Sequence, residues 1–153
     1  MPYTELVIAE ARSWIGTPYR HQASLKGVGC DCLGLLRGVW RAVVGAESEL
    51  PPPYTPDWAE AGADALMDAA RRHLVPLTAV EPGCVLLFRW RDGLAAKHCA
   101  IATSRDTMIH AHDGACVAEV AFRPWWQRHV TGVFAFPATG WAANGEWEMG
   151  GGA

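Results

Sequence analysis

The sequence has little charge of either sign and no long hydrophobic run. Charged residues make up 19% of the 153 residues, and 13 Lys and Arg against 16 Asp and Glu leave a formal net charge of −3. Binding to nucleic acid or to an anionic membrane surface requires a basic patch that this composition does not supply. No apolar stretch approaches the roughly 18–20 residues of a transmembrane helix. We therefore expect neither a nucleic-acid partner nor membrane insertion.

The first residues lack the basic and apolar segments of a secretory signal, so we expect the protein to be made in the cytoplasm without a signal peptide. A disulfide framework is a poor interpretation because the number of cysteines, five, is odd. We expect free thiols at all five positions, which are Cys30, Cys32, Cys84, Cys99 and Cys116.

Hydrophobic residues, in contrast, make up 50% of the chain, which predicts a packed core. The length suits one domain of ordinary size. We predict this domain over residues 1–137 and a flexible tail over residues 138–153, which contain many glycines and Trp141 and Trp147. An alternative for the tail is a segment that becomes ordered on a partner, since exposed tryptophans are common anchors in interfaces.

The spacing of apolar residues predicts helices in the first half of the domain and strands in the second. Helical periodicity indicates helices over residues 4–15, 32–44 and 57–74. After residue 76, short apolar runs alternate with turn signals and predict an antiparallel meander of five strands. These strands are residues 84–90, 98–103, 107–111, 116–122 and 130–136, with a helical turn at 123–128. The order indicates an α+β fold with the helices packed on one sheet. Trp125 and Trp126, in the helical turn, are expected in the core.

A cysteine at the predicted start of a buried helix is the strongest chemical signal. The unpaired amides at a helix start carry partial positive charge, which lowers the pKa of a thiol at Cys32 and favours its thiolate. The same amides can hold an oxyanion. Asp31, directly before Cys32, is placed to cap the helix. The pattern is that of a nucleophilic cysteine, for which a base is then required.

Two histidines in consecutive predicted strands supply the base. If the hairpin turns around Ser104, His98 and His110 face each other directly and lie on one face of the sheet. One imidazole then serves as the base while the other holds its tautomer. His112 shares the predicted face of His110 and is an alternative for the orienting role.

Four segments, in this order along the chain, resemble the NlpC-type family of cell-wall peptidases, which are papain-like cysteine peptidases. They are GTPYR at residues 16–20, DCLG at 31–34, HCAI at 98–101 and IHA at 109–111. The resemblance extends from about residue 4 to residue 136. It implies a papain-like fold with N-terminal helices on a five- to six-stranded antiparallel sheet. It also implies that Cys32 is the nucleophile, His98 the general base and His110 the orienting residue, and no cofactor is expected.

The resemblance further implies contacts to substrate. Asp31 is expected near a free amine of a peptidoglycan stem peptide and Tyr19 beside the reacting centre. Asp31 is also compatible with capping alone, and Tyr19 with packing. The usual substrate is the bond between D-glutamate and a diamino acid, but Leu33 stands where family members commonly have Ser, which leaves the bond open.

More narrowly, the chain resembles the single-domain version found in tail modules of bacteriophages and gene transfer agents. This implies a peptidoglycan hydrolase carried in a particle tail to a recipient's cell wall, with tail hub or baseplate proteins as partners. The alternative is a structural tail-tip component with weak or no catalysis. A cytosolic peptide-recycling enzyme would also lack a signal peptide.

The remaining cysteines indicate no metal site. A zinc or iron–sulfur site built from Cys30, Cys32, Cys99 and His98 lacks a second cysteine pair with matching spacing. Cys30 is expected to be a spectator thiol, with a strained or regulatory link to Cys32 as the alternative. The other three cysteines, Cys84, Cys99 and Cys116, are expected in the core.

Overall fold

The structure, a computed structural model, describes residues 3–47, 64–112 and 114–138. Its helices are α1 (Tyr3–Arg12), α2 (Cys32–Val43), α3 (Ala65–His73) and α4 (Pro124–Gln127). Its strands are β1 (Ser24–Leu25), β2 (Gly29–Cys30), β3 (Val75–Pro76), β4 (Val85–Phe88), β5 (His98–Ala102), β6 (Thr107–His110), β7 (Ala118–Ala121) and β8 (Val130–Ala135). Within the described ranges, no helix is long and apolar enough to cross a membrane.

Six strands form one antiparallel sheet in the order β3-β8-β4-β5-β6-β7. The predicted α+β class and antiparallel sheet are confirmed. The simple meander is wrong, because β8 returns to pair with β4 instead of extending the sheet beside β7. This return places β4 between two neighbours, and all four of its residues are fully buried. A run of consecutive apolar residues is typical of a strand that is covered on both faces.

The alternating side chains of the sheet form two cores, one on each face. The helix-side core joins α1 and α2 to the sheet and includes Leu35, Val39, Leu87 and Ile101. The second core lies on the opposite face and includes Leu86, Phe88, Ala100, Met108 and Phe122. Successive residues of β4 and β5 point to opposite faces of the sheet, so the same two strands contribute side chains to both cores.

Helix α1 packs against α2, and the turn that follows α1 approaches α2 closely at Gly38. A Cβ atom at Gly38 would overlap the ring of Trp14, which is 2% exposed. The first predicted helix extended to residue 15, whereas α1 ends at Arg12 and residues 13–16 form turns that end on Gly16 at φ +92°. The left-handed conformation there favours glycine.

The segment between α1 and α2, predicted as a loop, contains the short hairpin β1–β2. Ser24 connects the hairpin to α2, since its Oγ donates to the Gly34 carbonyl over 2.6 Å and its own carbonyl accepts from Arg41 over 2.8 Å. Strands of two residues are too short to show an alternating pattern. The hairpin delivers the chain to the start of α2 in a fixed position.

The third helix starts at Ala65 with Asp64 as its N-cap and ends at His73, inside the predicted range of 57–74. The N-terminal part of that prediction, residues 57–63, and residues 139–153 of the predicted tail lie outside the described residues. The predicted helical turn at 123–128 is confirmed as α4.

Candidate active site

Cys32 is the first residue of α2, and Asp31 is its N-cap, as predicted. One carboxylate oxygen of Asp31, Oδ1, accepts from the Gly34 amide over 2.7 Å, and the other, Oδ2, accepts from the Gln22 amide over 2.7 Å. Asp31 is 2% exposed. The cap therefore joins the helix start to the preceding loop, which positions the Cys32 thiol at the end of the sheet.

His98 and His110 meet at the same end of the sheet. His98 begins β5 and His110 ends the antiparallel β6, and His98 Nε2 lies 2.9 Å from His110 Nδ1. Both histidines are buried, at 4% and 6% exposure. The predicted contact between the two imidazole rings is confirmed as a side-chain hydrogen bond.

The prediction that the two histidines face each other directly is wrong. Ile101 faces Ile109 and Ala102 faces Met108, a register that makes His98 and His110 diagonal neighbours. The turn is centred one residue later than predicted, since the amide of Thr103 bonds to the carbonyl of Thr107 over 3.0 Å. A register change of two residues keeps both side chains on one face. Diagonal neighbours remain within reach of long or aromatic side chains, so the rings still meet.

Two neighbouring side chains favour the thiolate form of Cys32. A hydrogen bond from the Cys99 thiol, and then a hydrogen bond and the positive charge of His98, hold the pKa of Cys32 well below its ordinary value. Burial and the charge of Asp31 oppose this shift. The single S–H proton of Cys99 is shared between two acceptors, since the Cys32 carbonyl oxygen also accepts from Cys99 Sγ over 3.2 Å. Its own pKa is raised well above the ordinary value, first by the hydrogen bond with Cys32. Of these two thiols, Cys32 is therefore the more acidic and Cys99 the hydrogen-bond donor. The role of Cys32 as nucleophile stays a prediction.

His110 is neutral at neutral pH because burial, followed by the charges of His98 and His112, lowers its pKa to about 3. A neutral His110 accepts at Nδ1 when protonated His98 donates from Nε2. This bond leaves Nδ1 of His98 for Cys32, which is the arrangement of nucleophile, base and orienting group in a cysteine peptidase.

Aromatic rings enclose His98 on the face of the second core. Its ring centroid lies 5.8 Å from that of Phe88, 5.8 Å from that of Trp90 and 5.6 Å from that of Trp126. Trp126 is partly buried there, but Trp125 is 48% exposed, so the core prediction is wrong for Trp125. Sequence reasoning also missed Cys99 as a partner of Cys32. The alternation of β5 was the available signal, since it sends Cys99 to the helix side.

The other cysteines differ in their surroundings. Cys30 is fully buried, and burial first, then the charges of Asp31 and Cys32, raises its pKa to about 12. This is the inert thiol expected of a spectator, and both Cys30 and Cys32 are free. Cys84 and Cys99 are buried as predicted, but Cys116 is exposed, because it precedes β7 instead of lying within it.

Tyr19 and Leu33 lie on either side of the nucleophile in the chain. Tyr19 forms a parallel bridge with Cys30 and packs, partly buried, against the helix-side core. Leu33 also packs against that core. The contacts of Tyr19 and Asp31 to substrate stay predictions.

One group of side chains has the composition of a metal site, and it differs from the cysteine set considered from the sequence. Ligand atoms of His98, His110 and His112 all lie within 4.8 Å of one another. The ring of exposed His112 stacks on that of His110 at a centroid distance of 5.5 Å and an angle of 12°.

Comparison with known families decides the assignment, since residues 16–135 match the sequence profile of the NlpC/P60 family. The chain belongs to the NlpC/P60 family. The matched range contains both elements of the candidate site, the start of α2 and the β5–β6 hairpin. No curated protein sequence matches the chain significantly.

Solved NlpC/P60 structures share this fold. The NlpC/P60 domain of the peptidoglycan hydrolase SagA is 22% identical with a TM-score of 0.58, and the match covers 87% of this chain and 98% of that domain. An NlpC/P60 family protein from Bacillus cereus is 18% identical with a TM-score of 0.64, over 88% of this chain and 40% of its own. NlpC2 from Trichomonas vaginalis is 17% identical with a TM-score of 0.59, over 88% and 46%. The chain thus spans the whole SagA domain but less than half of the other two proteins.

Proposed function

We propose that the protein is a cysteine endopeptidase that cleaves stem peptides of peptidoglycan. The observation that carries the proposal is the 2.9 Å bond between His98 Nε2 and His110 Nδ1 beside a Cys32 thiol of lowered pKa. Membership of the NlpC/P60 family supports a cell-wall hydrolase, and the similar SagA domain comes from a peptidoglycan hydrolase.

In the proposed reaction the Cys32 thiolate attacks the scissile carbonyl carbon. The amides of Gly34 and Leu35 at the helix start already donate hydrogen bonds to Asp31. The oxyanion of the tetrahedral intermediate is therefore assigned to the two preceding amides, those of Cys32 and Leu33. His98, protonated at Nδ1, gives that proton to the leaving amine as the tetrahedral intermediate collapses. Neutral His98 then takes a proton from water, whose oxygen attacks the thioester carbonyl; the peptide leaves with a new carboxyl group, and the Cys32 thiolate beside protonated His98 is restored.

The substrate is proposed to be the bond between D-glutamate and the diamino acid, by resemblance to the family. Asp31 would act near the free amine of the stem peptide, and Tyr19 beside the reacting centre. Their support is their place in the chain, since Asp31 directly precedes Cys32 and Tyr19 bridges to Cys30.

Digestion of purified cell wall tests this function. Wild-type protein is expected to release stem-peptide fragments, and Cys32→Ala to release none while keeping the fold. Cys84→Ala is the matched control because it also removes a buried thiol, but from the second core. Equal release by wild type and Cys32→Ala would overturn the proposal.

The biological setting is proposed from the narrower resemblance to tail modules of bacteriophages and gene transfer agents. In this setting the protein is assembled into a particle tail, contacts hub or baseplate proteins and reaches the cell wall of a recipient. Deletion of residues 138–153 should then impair particle assembly while free protein still digests cell wall. Loss of digestion with normal assembly would contradict this division of roles.

A further inference from the structure

His112 adds a third imidazole to the catalytic pair, and the reaction above does not use it. Its ring centroid lies 5.4 Å from that of His98 and 5.5 Å from that of His110. We propose that these three histidines bind one zinc ion and that zinc reversibly inhibits the peptidase. The inhibition rests on the proposed function, whereas the binding does not.

The spacing of the three ligand atoms suits a zinc ion after small movements of the three side chains. Zinc bonded to imidazole nitrogens at about 2.0–2.1 Å in a tetrahedron holds those nitrogens roughly 3.3 Å apart. His98 Nε2 and His110 Nδ1 are 2.9 Å apart, and all three ligand atoms lie within 4.8 Å. The two buried rings therefore move apart slightly, and exposed His112 moves inward. Water fills the fourth position, as in other three-histidine zinc sites.

Binding of zinc is accompanied by the release of a proton, because zinc binds neutral imidazole. The proton in the contact between His98 Nε2 and His110 Nδ1 goes to solvent when the bond from zinc to His98 Nε2 forms.

Zinc at Nε2 would change what His98 offers to Cys32. A neutral imidazole that binds a metal through Nε2 carries its one proton on Nδ1, the nitrogen left for Cys32. It then cannot accept the thiol proton, and its Nδ1–H is a far weaker acid than that of an imidazolium. Protonation of the leaving amine is therefore slowed. Because the ion is proposed at Nε2, and Nδ1 is the nitrogen that the bond to His110 leaves for Cys32, the thiolate is not a ligand in the proposed zinc site.

Calorimetric titration of zinc chloride into the full chain tests the binding. We expect one ion per chain for wild type and an affinity within about twofold for Cys32→Ala. Removal of even a second-shell partner costs roughly 10–100-fold in metal affinity. We therefore expect His112→Gln to weaken binding at least that much. His73→Gln is the control. It removes a histidine of α3 that packs against Trp40, and it should bind zinc like wild type.

Peptidase activity in zinc, divided by the same variant's activity in EDTA, gives the second readout. Wild type should lose activity in zinc and regain it in EDTA, and His112→Gln should need at least tenfold more zinc for the same loss. If the chain proved not to be a peptidase, the titration would still report the site. Binding lost in Cys32→Ala but kept in His112→Gln would assign the ion to the Cys32–His98 pair and overturn the proposal, as would no binding to wild type.

Discussion

His98 Nε2 lies 2.9 Å from His110 Nδ1, and the two residues are diagonal neighbours on β5 and β6. Because His110 is neutral, its Nδ1 accepts a hydrogen bond from the protonated Nε2 of His98. The other ring nitrogen of His98, Nδ1, is then left for Cys32. The orientation of the proposed base therefore depends on a bond between two buried rings at the end of the sheet. We propose that His110 acts through His98 as a positioning residue.

Loss of His110 should lower kcat more than it raises KM. His110→Ala removes the acceptor for Nε2, and we expect kcat to fall by roughly 10²–10⁴-fold with little change in KM, as for loss of orientation in other triads. His110→Gln keeps an acceptor oxygen and should recover part of the loss. Steady-state kinetics on a stem-peptide substrate measures both constants.

His112→Ala is the comparison for this prediction, because His112 is the alternative orienting residue. It should lose less activity than His110→Ala, since His110 is the residue that makes the hydrogen bond with His98 Nε2. A larger loss for His112→Ala would assign the orienting role to His112.

Cys99 should control the acidity of the nucleophile. Its thiol makes the largest contribution to the lowered pKa of Cys32, so Cys99→Ala should raise that pKa. The rate of alkylation of Cys32 by iodoacetamide, followed against pH, measures the change as a shift of the midpoint to higher pH. Cys84→Ala removes a buried thiol from the opposite face and should leave the midpoint in place. Identical midpoints for wild type and Cys99→Ala would contradict the assignment.

Much of this site is predictable from local sequence. Asp31 caps the helix and Cys32 begins it, because capping and helical periodicity are properties of a few neighbouring residues. The shared face of His98 and His110 is also predictable, since a register change of two residues does not alter the face.

The exact pairing and the surroundings of the site depend on distant parts of the chain. The turn after β5 is centred on Arg105, and the bonds that fix it involve Thr103 and Thr107, which carry no strong turn signal. Trp126 joins Phe88 and Trp90 around His98 only when β8 returns to pair with β4 and α4 is brought with it. The exposure of Trp125 follows from the same return and has no local signal.

The buried, neutral His110 should make the protein less stable in acid. Its pKa is about 3 in the folded protein, below the ordinary 6.5, so the unfolded chain binds a proton that the folded chain does not. Its contribution to stability is full above about pH 6.5 and is lost as pH falls toward about 3, by at most about 1.4 kcal/mol per pH unit. Urea unfolding at a series of pH values measures this slope. His110→Gln should show a shallower slope over the same interval, and parallel slopes would contradict the prediction.

The contact between α2 and the turn after α1 should tolerate no side chain at Gly38. Gly38→Ala places a methyl group into the ring of buried Trp14, and overpacking of this kind costs typically about 1–3 kcal/mol of unfolding free energy. Trp14→Phe in the same chain makes room, so the double variant should lose less than the sum of the two single variants. Urea unfolding of all four proteins measures the coupling, and strict additivity would show that the two residues do not interact.

Mass spectrometry of muropeptides digested by wild type and by Cys32→Ala tests the central claim most directly. We expect wild type to produce stem peptides cut between D-glutamate and the diamino acid, and Cys32→Ala to leave the same muropeptides intact. Cleavage products of equal amount and identity from both proteins would contradict a Cys32-dependent peptidase.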